Sequence, residues 1–330
     1  MGARGTRLRD IWVSTRAADD GLPHVDLGPQ LNLVFWLLTS LAFVFLALRI
    51  YCKFHRGRKL WWDDYLLIAA WISLAVSAAT TSVCVSLDYG KNTYDMNPAN
   101  LPKMPFIAVF AGFFSVLAAV WSKTSFAVTL LRLFQGWLRA VIWFIIITLN
   151  LIMGTAMLFM WIKCHPFAKI WDSTIDGWCI DPNKIVVLYQ WSAGWSGSAD
   201  VILALLPWTF LINMRQTLNR RERVGVAAAM SMGVVAGVAS FIKMAKLPQL
   251  NGQASDTVAV TLWGGAEGAI TIMAASIPVL RALIRGDKDR PAAAQFNTID
   301  ERRLDTTSLD TLSPSRKANR GADGYVVHSA

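Results

Sequence analysis

Long apolar runs recur along this chain, and each has a length that fits a lipid bilayer. Crossing the hydrocarbon core takes about 20 mostly apolar residues, and by that rule the sequence contains about seven candidate spans. We place them at 31–50, 65–87, 105–133, 138–162, 185–212, 225–247 and 259–284. Soluble domains do not repeat such runs. The sequence therefore predicts an all-α integral membrane protein whose seven-transmembrane helix bundle occupies residues 31–284.

Two polar segments flank the predicted bundle. Residues 1–30 form a polar N-terminal segment, and residues 285–330 are rich in Ser, Thr, Asp and Arg. A segment with so little apolar content cannot bury a core, so we expect residues 285–330 to be a disordered cytosolic tail.

The net charge of +10 and the 15 Trp suit either nucleic-acid binding or a membrane protein with basic loops and aromatic belts. The apolar runs favour the second class, so we expect membrane lipids and no nucleic acid as partners. Lys and Arg at span ends concentrate on one face: Arg49, Lys53, Arg56, Arg58, Lys59, Arg132, Arg139, Arg215, Arg220, Arg221, Arg223, Arg281, Arg285, Lys288 and Arg290. The positive-inside rule makes that face cytosolic, with the N-terminus outside and the C-terminus in the cytosol.

Charged residues inside a membrane span are expensive and serve as candidates for function, and four such residues stand out here: Lys123, Asp200, Lys243 and Glu267. A helix rises about 1.5 Å per residue, so the depth of each charge can be counted from the outer end of its own span. By this count Lys123 lies at about 27 Å and Asp200 at about 22 Å. Lys243 lies at about 6 Å and Glu267 at about 12 Å. These depths predict two ion pairs, Lys123–Asp200 and Lys243–Glu267. The pairs could simply neutralise themselves and fix helix packing. Alternatively, Asp200 or Glu267 could be exposed in a central cavity as a ligand anchor or a general acid.

Two cysteines lie in the predicted outer loop after the fourth span. A disulfide between Cys164 and Cys179 is expected there because the outer face is oxidising. Two free thiols remain an alternative, and Cys84 is a second possible partner near the outer end of its span. His165 beside Cys164 supplies too few ligands for a zinc site, so we expect no metal.

Two adjacent acids, Asp63 and Asp64, stand at the cytosolic entry of the second span, where basic residues prevail. Capping of the helix N-terminus accounts for one of them. We expect the other to pair with the basic loop that precedes the span.

An ordered set of residues resembles the fungal rhodopsin-domain membrane proteins over about residues 31–285. The set comprises Arg49-Ile50-Tyr51, Trp62-Asp63-Asp64-Tyr65, Lys123 before Leu130-Leu131-Arg132, Cys164-His165-Pro166 with Trp171 and Gly177-Trp178-Cys179, Asp200 before Leu205-Leu206-Pro207, and Glu267 before Ser276-Ile277-Pro278. The resemblance implies a seven-helix bundle from a fungus, and many such proteins are encoded beside secondary-metabolite genes.

The chain departs from this family's pattern in two places. No cysteine precedes Cys52, so we do not expect the CFEM module of the receptor-like branch. The outer loop has Tyr89-Gly90-Lys91-Asn92 where the family often has a Gly-rich turn followed by His. A retinal Schiff base is not expected either, because the seventh span contains no Lys, and we expect no cofactor.

The resemblance implies an accessory role in a fungal secondary-metabolite pathway, with no defined activity and a lipophilic small molecule as the expected ligand. A receptor-like signalling protein is one alternative, with Arg215–Arg223 and the tail contacting cytosolic proteins. A membrane-embedded cyclase or isomerase is another, with Asp200 and Glu267 as candidate catalytic acids. A transporter is disfavoured because no repeat relates the two halves. Plasma membrane and endomembrane both remain possible locations.

Overall fold

A computed structural model of the chain describes residues 26–55, 57, 59–92, 96–97, 100, 103–132, 134, 136–170, 175–213, 220–249 and 254–284. Most of the polar N-terminal segment, the tail 285–330, Trp171 and Arg215 lie outside these residues. The expectations about the tail and about contacts through Arg215–Arg223 therefore stay predictions.

Seven long α-helices make up most of the described chain, which confirms the predicted all-α bundle. They are α1 (Gly28–His55), α2 (Trp62–Ser86), α3 (Met104–Leu131), α4 (Trp137–Ile162), α5 (Pro182–Asn213), α6 (Arg220–Lys246) and α7 (Ala254–Ile284). Short 3₁₀ segments at Phe167–Ile170 and Leu247–Gln249 lie in the connections. Five helices among the described residues are long and apolar enough to cross a membrane, namely α1 to α4 and residues 255–277 of α7.

The helices extend past the predicted spans at several ends. α1 continues to His55 rather than ending near residue 50, and α7 begins at Ala254 rather than 259. Hydropathy marks only the apolar part of a helix, whereas backbone hydrogen bonding continues through polar residues that have partners. Both extensions place charged residues on helices rather than in loops.

The bundle is apolar outside and partly polar inside. Leu37, Ile147 and Leu151 are between 59% and 66% exposed on its outer surface, whereas Lys123 and Glu267 are buried in its interior. Exposure of this apolar surface to water would be unfavourable, whereas contact with lipid is favourable. Because lipid offers no hydrogen bonds, buried polar groups must find their partners within the bundle. The distribution is that of a membrane protein.

α7 occupies a central position, packing against α1, α3 and α6. Glycines permit two of the close approaches in the bundle. A Cβ atom at Gly265 of α7 would lie 2.3 Å from the ring of Phe35 on α1, and one at Gly237 of α6 would lie 2.8 Å from Val201 on α5. The small-residue positions of α6 therefore serve helix packing.

A small hairpin follows α4. Its strands β1 (Cys164–His165) and β2 (Trp178–Cys179) are antiparallel, with Cys164 opposite Cys179. A disulfide joins these two residues, which confirms the predicted bond. Cys84, the alternative partner, is a buried free thiol, and Cys52 is also free.

Candidate functional site

Four charged side chains from four helices form one network in the bundle interior. Lys123 of α3 places its Nζ 2.8 Å from Asp200 Oδ2 on α5 and 2.5 Å from Glu267 Oε1 on α7. Lys243 of α6 places its Nζ 2.5 Å from Glu267 Oε2. Ser196 donates to Glu267 Oε1 at 2.7 Å. Both expected ion pairs are therefore present, and Lys123 joins them into a single network.

The link between Lys123 and Glu267 was not predicted, because the estimated depths of about 27 Å and about 12 Å separated the two residues. The observed contacts show that distance along a helix from its end does not determine which buried charges meet.

A cavity of about 190 Å³ adjoins this network at Lys243 and extends towards Tyr89 and Leu247. Its walls are mainly apolar and come from α2 to α7, with Lys243 as the one charged lining residue among those described. Small side chains such as Ala108, Gly112 and Gly264 leave the space open. Neither Asp200 nor Glu267 lines the cavity, and both carboxylates are buried against ammonium groups.

Two hydroxyl groups in the cavity wall lack hydrogen-bond partners among the described residues. They belong to Thr81 of α2 and Tyr189 of α5. Buried hydroxyls without a partner are unfavourable and rare, so each calls for a polar partner that the described residues do not supply. Sequence reasoning missed both residues, because an uncharged Thr or Tyr in an apolar helix carries no distinctive signal.

Tyr89, in the connection between α2 and α3, also lines the cavity. Its hydroxyl lies 2.6 Å from Thr261 Oγ1 on α7. Burial raises the pKa of Tyr89 to about 12, which keeps the phenol protonated at neutral pH. The resemblance placed a His near this loop in other proteins, whereas here a Tyr connects the loop to α7.

A second charged cluster lies where α1 ends and α2 begins. Arg49 is fully buried and contacts Asp63 Oδ2 at 2.7 Å, Asp64 Oδ1 at 2.9 Å and the carbonyl oxygen of Ala275 at 2.5 Å. Lys53 lies 2.5 Å from Asp64 Oδ2, and Arg132 lies 2.6 Å from Asp63 Oδ1. The cluster therefore connects α1, α2, α7 and the end of α3.

This cluster corrects the expectation for the two acids. Asp64 does cap α2, accepting a hydrogen bond from the Trp61 backbone at 3.1 Å. The expected pairing with the basic segment is present through Lys53, but Lys53 lies on α1 rather than in a loop, and Arg49 and Arg132 are further partners. The reason is that α1 continues to His55, and residues four apart share one face of a helix. Arg49 thus has a structural role in addition to the topological role predicted from the sequence.

No group of three or more His, Cys, Asp or Glu side chains in the described part of the chain is arranged to hold a metal ion. Together, the fold, the internal charges and the cavity define an integral membrane protein built as a helical bundle. The fungal rhodopsin domain matches residues 48–286, and the chain belongs to this family.

One relative is the "Wortmanamides biosynthesis cluster protein C" of Talaromyces wortmannii, which is 21% identical over 295 residues. The alignment covers 87% of this chain and 78% of that protein. No solved structure matches the chain.

Proposed function

We propose that this chain is a multi-pass membrane protein that binds a lipophilic small molecule and serves a fungal secondary-metabolite pathway in an accessory role. The observation that carries the proposal is the cavity, which has apolar walls, one ammonium group and two unpartnered hydroxyls. Apolar pockets with a few convergent polar groups are the usual form of small-molecule sites. The pathway role is supported by the relative, whose name places it in a biosynthesis cluster.

All seven helices cross the membrane in this proposal, with the N-terminus outside and the C-terminus in the cytosol. α5 and α6 join the five most apolar helices because they supply Asp200 and Lys243 to the interior network. The disulfide hairpin then lies outside, where disulfides persist, and the Arg49 cluster lies at the cytosolic end. Membrane lipids surround the bundle, and Arg215–Arg223 with the tail are available to cytosolic proteins.

Two single substitutions, one on each proposed face, test this topology. Asp172→Asn creates an Asn-Ser-Thr acceptor for N-glycosylation in the hairpin loop, and Arg221→Thr creates one after Asn219 on the opposite face. In cells that glycosylate, we expect a mass shift that a glycosidase removes for Asp172→Asn and none for Arg221→Thr. The reverse pattern would overturn the orientation.

A binding role is better supported than a catalytic role in which Asp200 or Glu267 acts as the acid. Both carboxylates are held against the ammonium nitrogen of Lys123, at 2.8 Å for Asp200 and 2.5 Å for Glu267, rather than being free to act on a ligand. Neither lines the cavity, so neither contacts a molecule held there. A cyclase or isomerase that used Asp200 or Glu267 as its acid would need a different arrangement.

Deletion of the gene with metabolite profiling tests the pathway role. We expect deletion to change the amount or distribution of a lipophilic product, and the wild-type gene to restore it. Ala108→Phe, which fills the cavity, should fail to restore the profile, whereas Ala140→Phe on the exposed start of α4 should succeed. An unchanged profile after deletion would refute the pathway role.

A further inference from the structure

We propose that the cavity is selective for an uncharged, largely apolar molecule that presents a hydrogen-bond acceptor, such as an amide or ketone carbonyl. The inference rests on the binding role proposed above and names the class of ligand for the same site. Three features carry it: the size and walls of the cavity, its surplus of hydroxyl donors, and the charge balance of the adjoining network.

The size and the walls of the cavity set the apolar character of the ligand. Its volume of about 190 Å³ exceeds the roughly 150 Å³ of an apolar protein cavity that takes up benzene. Ala111, Val116, Met153 and Met160 are among the lining side chains. A compact apolar molecule, or one end of a longer chain, therefore fits the space.

The two hydroxyls supply donors that no described residue uses. Other Thr and Ser side chains of α2 bond to carbonyl oxygens of their own helix, as Thr80 does to Val76 and Ser82 to Ala78. Thr81, although it stands between them and is only 1% exposed, makes no such bond, and the Tyr189 hydroxyl also lacks a partner among the described residues. Both residues line the cavity, Thr81 from α2 and Tyr189 from α5, so an acceptor group of a bound molecule would supply a missing partner.

The charge balance argues for a neutral ligand. The ammonium groups of Lys123 and Lys243 offset the carboxylates of Asp200 and Glu267, and no other charged side chain of the described residues lines the cavity. A bound carboxylate would compete with Glu267 for Lys243 and would leave one negative charge uncompensated inside the bundle. Such an unpaired charge is strongly unfavourable in low-dielectric surroundings. A carbonyl group adds an acceptor without adding a charge.

Cys84 provides a direct measurement because its free thiol lines the cavity. The probes are octanamide and octanoate, which share one chain and differ in charge. In purified Cys52→Ala protein, Cys84 is the remaining free thiol, and its rate of modification by methyl methanethiosulfonate is measured with each probe. We expect octanamide to slow the modification at concentrations where octanoate does not. The thermal midpoint is measured in parallel, and octanamide should raise it more than octanoate does.

Matched variants separate binding from nonspecific partition into detergent. Thr81→Val and Tyr189→Phe keep the shape of the wall and remove one hydroxyl each, so each should weaken octanamide binding roughly 3-fold to 10-fold. Thr148→Val on the outside of α4, and Tyr65→Phe, 58% exposed on α2, should leave it unchanged. Because no charge is altered, all four proteins should fold.

Three outcomes would overturn the proposal: protection by octanoate equal to that by octanamide, no effect of either probe on modification or midpoint, or unchanged affinity in Thr81→Val and Tyr189→Phe. The first would show that the site does not discriminate against acidic molecules, which Lys243 could then anchor. Failure of the pathway role is recognised separately. Octanamide would then still bind while gene deletion leaves metabolites unchanged.

Discussion

Lys123 and Glu267 meet in the interior of the bundle, with the ammonium nitrogen 2.5 Å from Glu267 Oε1. The same nitrogen lies 2.8 Å from Asp200 Oδ2, so one cation holds carboxylates from two helices. Since Lys243 also contacts Glu267, four helices share one charge network. Removing any member should leave a buried charge without its partner.

Lys123→Met should be strongly destabilising. The substitution preserves the length of the side chain but leaves Asp200 without its cation, and breaking a buried pair this way costs about 3 to 5 kcal/mol. Thermal unfolding of the protein in detergent, monitored by size-exclusion chromatography, would measure the loss of stability. The double variant Lys123→Met with Asp200→Asn should regain part of it, because Lys243 and Glu267 then balance. A single variant as stable as wild type would show that the network does not stabilise the fold.

Glu267→Gln should cost more stability than Asp200→Asn. Glu267 accepts from Lys123, Lys243 and Ser196, whereas Asp200 faces one ammonium group. Comparing the melting temperatures of the two isosteric variants tests this order. Equal losses would mean that the two carboxylates contribute alike. If both variants fold and the metabolite profile is unchanged, neither residue is a catalytic acid.

Arg49→Lys should destabilise the protein although it keeps the charge. A lysine cannot reproduce the separate hydrogen bonds from Nε, Nη1 and Nη2 to Asp64, Ala275 and Asp63. We expect a loss of about 2 to 3 kcal/mol, in the range of hydrogen bonds to charged groups. Arg139→Lys, at an exposed position on α4, is the matched control and should unfold as wild type does.

Loss of the disulfide should loosen the hairpin. The bond closes a segment with a sequence separation of 15, for which loop-closure entropy predicts about 3 kcal/mol of stabilisation. The double variant Cys164→Ala with Cys179→Ala should therefore melt earlier, and a reducing agent should lower the midpoint of wild type but not of this variant. Cys52→Ala, which removes a free thiol, should leave the midpoint and its sensitivity to reductant unchanged.

Asp88 should contribute to stability in a pH-dependent manner. A hydrogen bond from Lys91 holds the pKa of Asp88 below its ordinary value near 3.8, and a second hydrogen bond, from Asn100, lowers the pKa further. Because the folded protein favours the ionised form, this stabilisation is present above that value and is lost as the pH falls through it towards the folded pKa. Asp88→Asn removes the charge and tolerates the left-handed φ of 72°.

The stabilities of wild type and Asp88→Asn are compared by thermal melting at several pH values between 7 and 3. At pH 7 the Asp88→Asn variant should be less stable by under about 1 kcal/mol, because the pair is partly exposed. The difference should shrink as the pH falls. A constant difference across this range would mean that ionisation of Asp88 has no part in it.

Hydropathy sufficed to predict the helices, because a membrane span must be long and apolar whatever its neighbours are. It placed each of the seven helices in the described chain, with errors of a few residues at their ends. The compartment argument was enough for the bond between Cys164 and Cys179. Depth along the helices was enough to pair Lys123 with Asp200 and Lys243 with Glu267, because buried charges must find partners at a matching level.

Contacts between side chains from distant parts of the chain could not be obtained in that way. The link between Lys123 and Glu267 depends on how α3 and α7 pack, because the depths estimated from the sequence had separated the two residues. The burial of Arg49 depends on α1 continuing past its apolar part to face Asp63 and Asp64.

Nothing in the sequence distinguishes Thr81 and Tyr189. They matter because both line one cavity and their hydroxyls lack hydrogen-bond partners among the described residues. The local composition of the chain thus specifies its helices and their suitability for a membrane. The site arises from how seven helices pack, which brings together residues that are far apart along the chain.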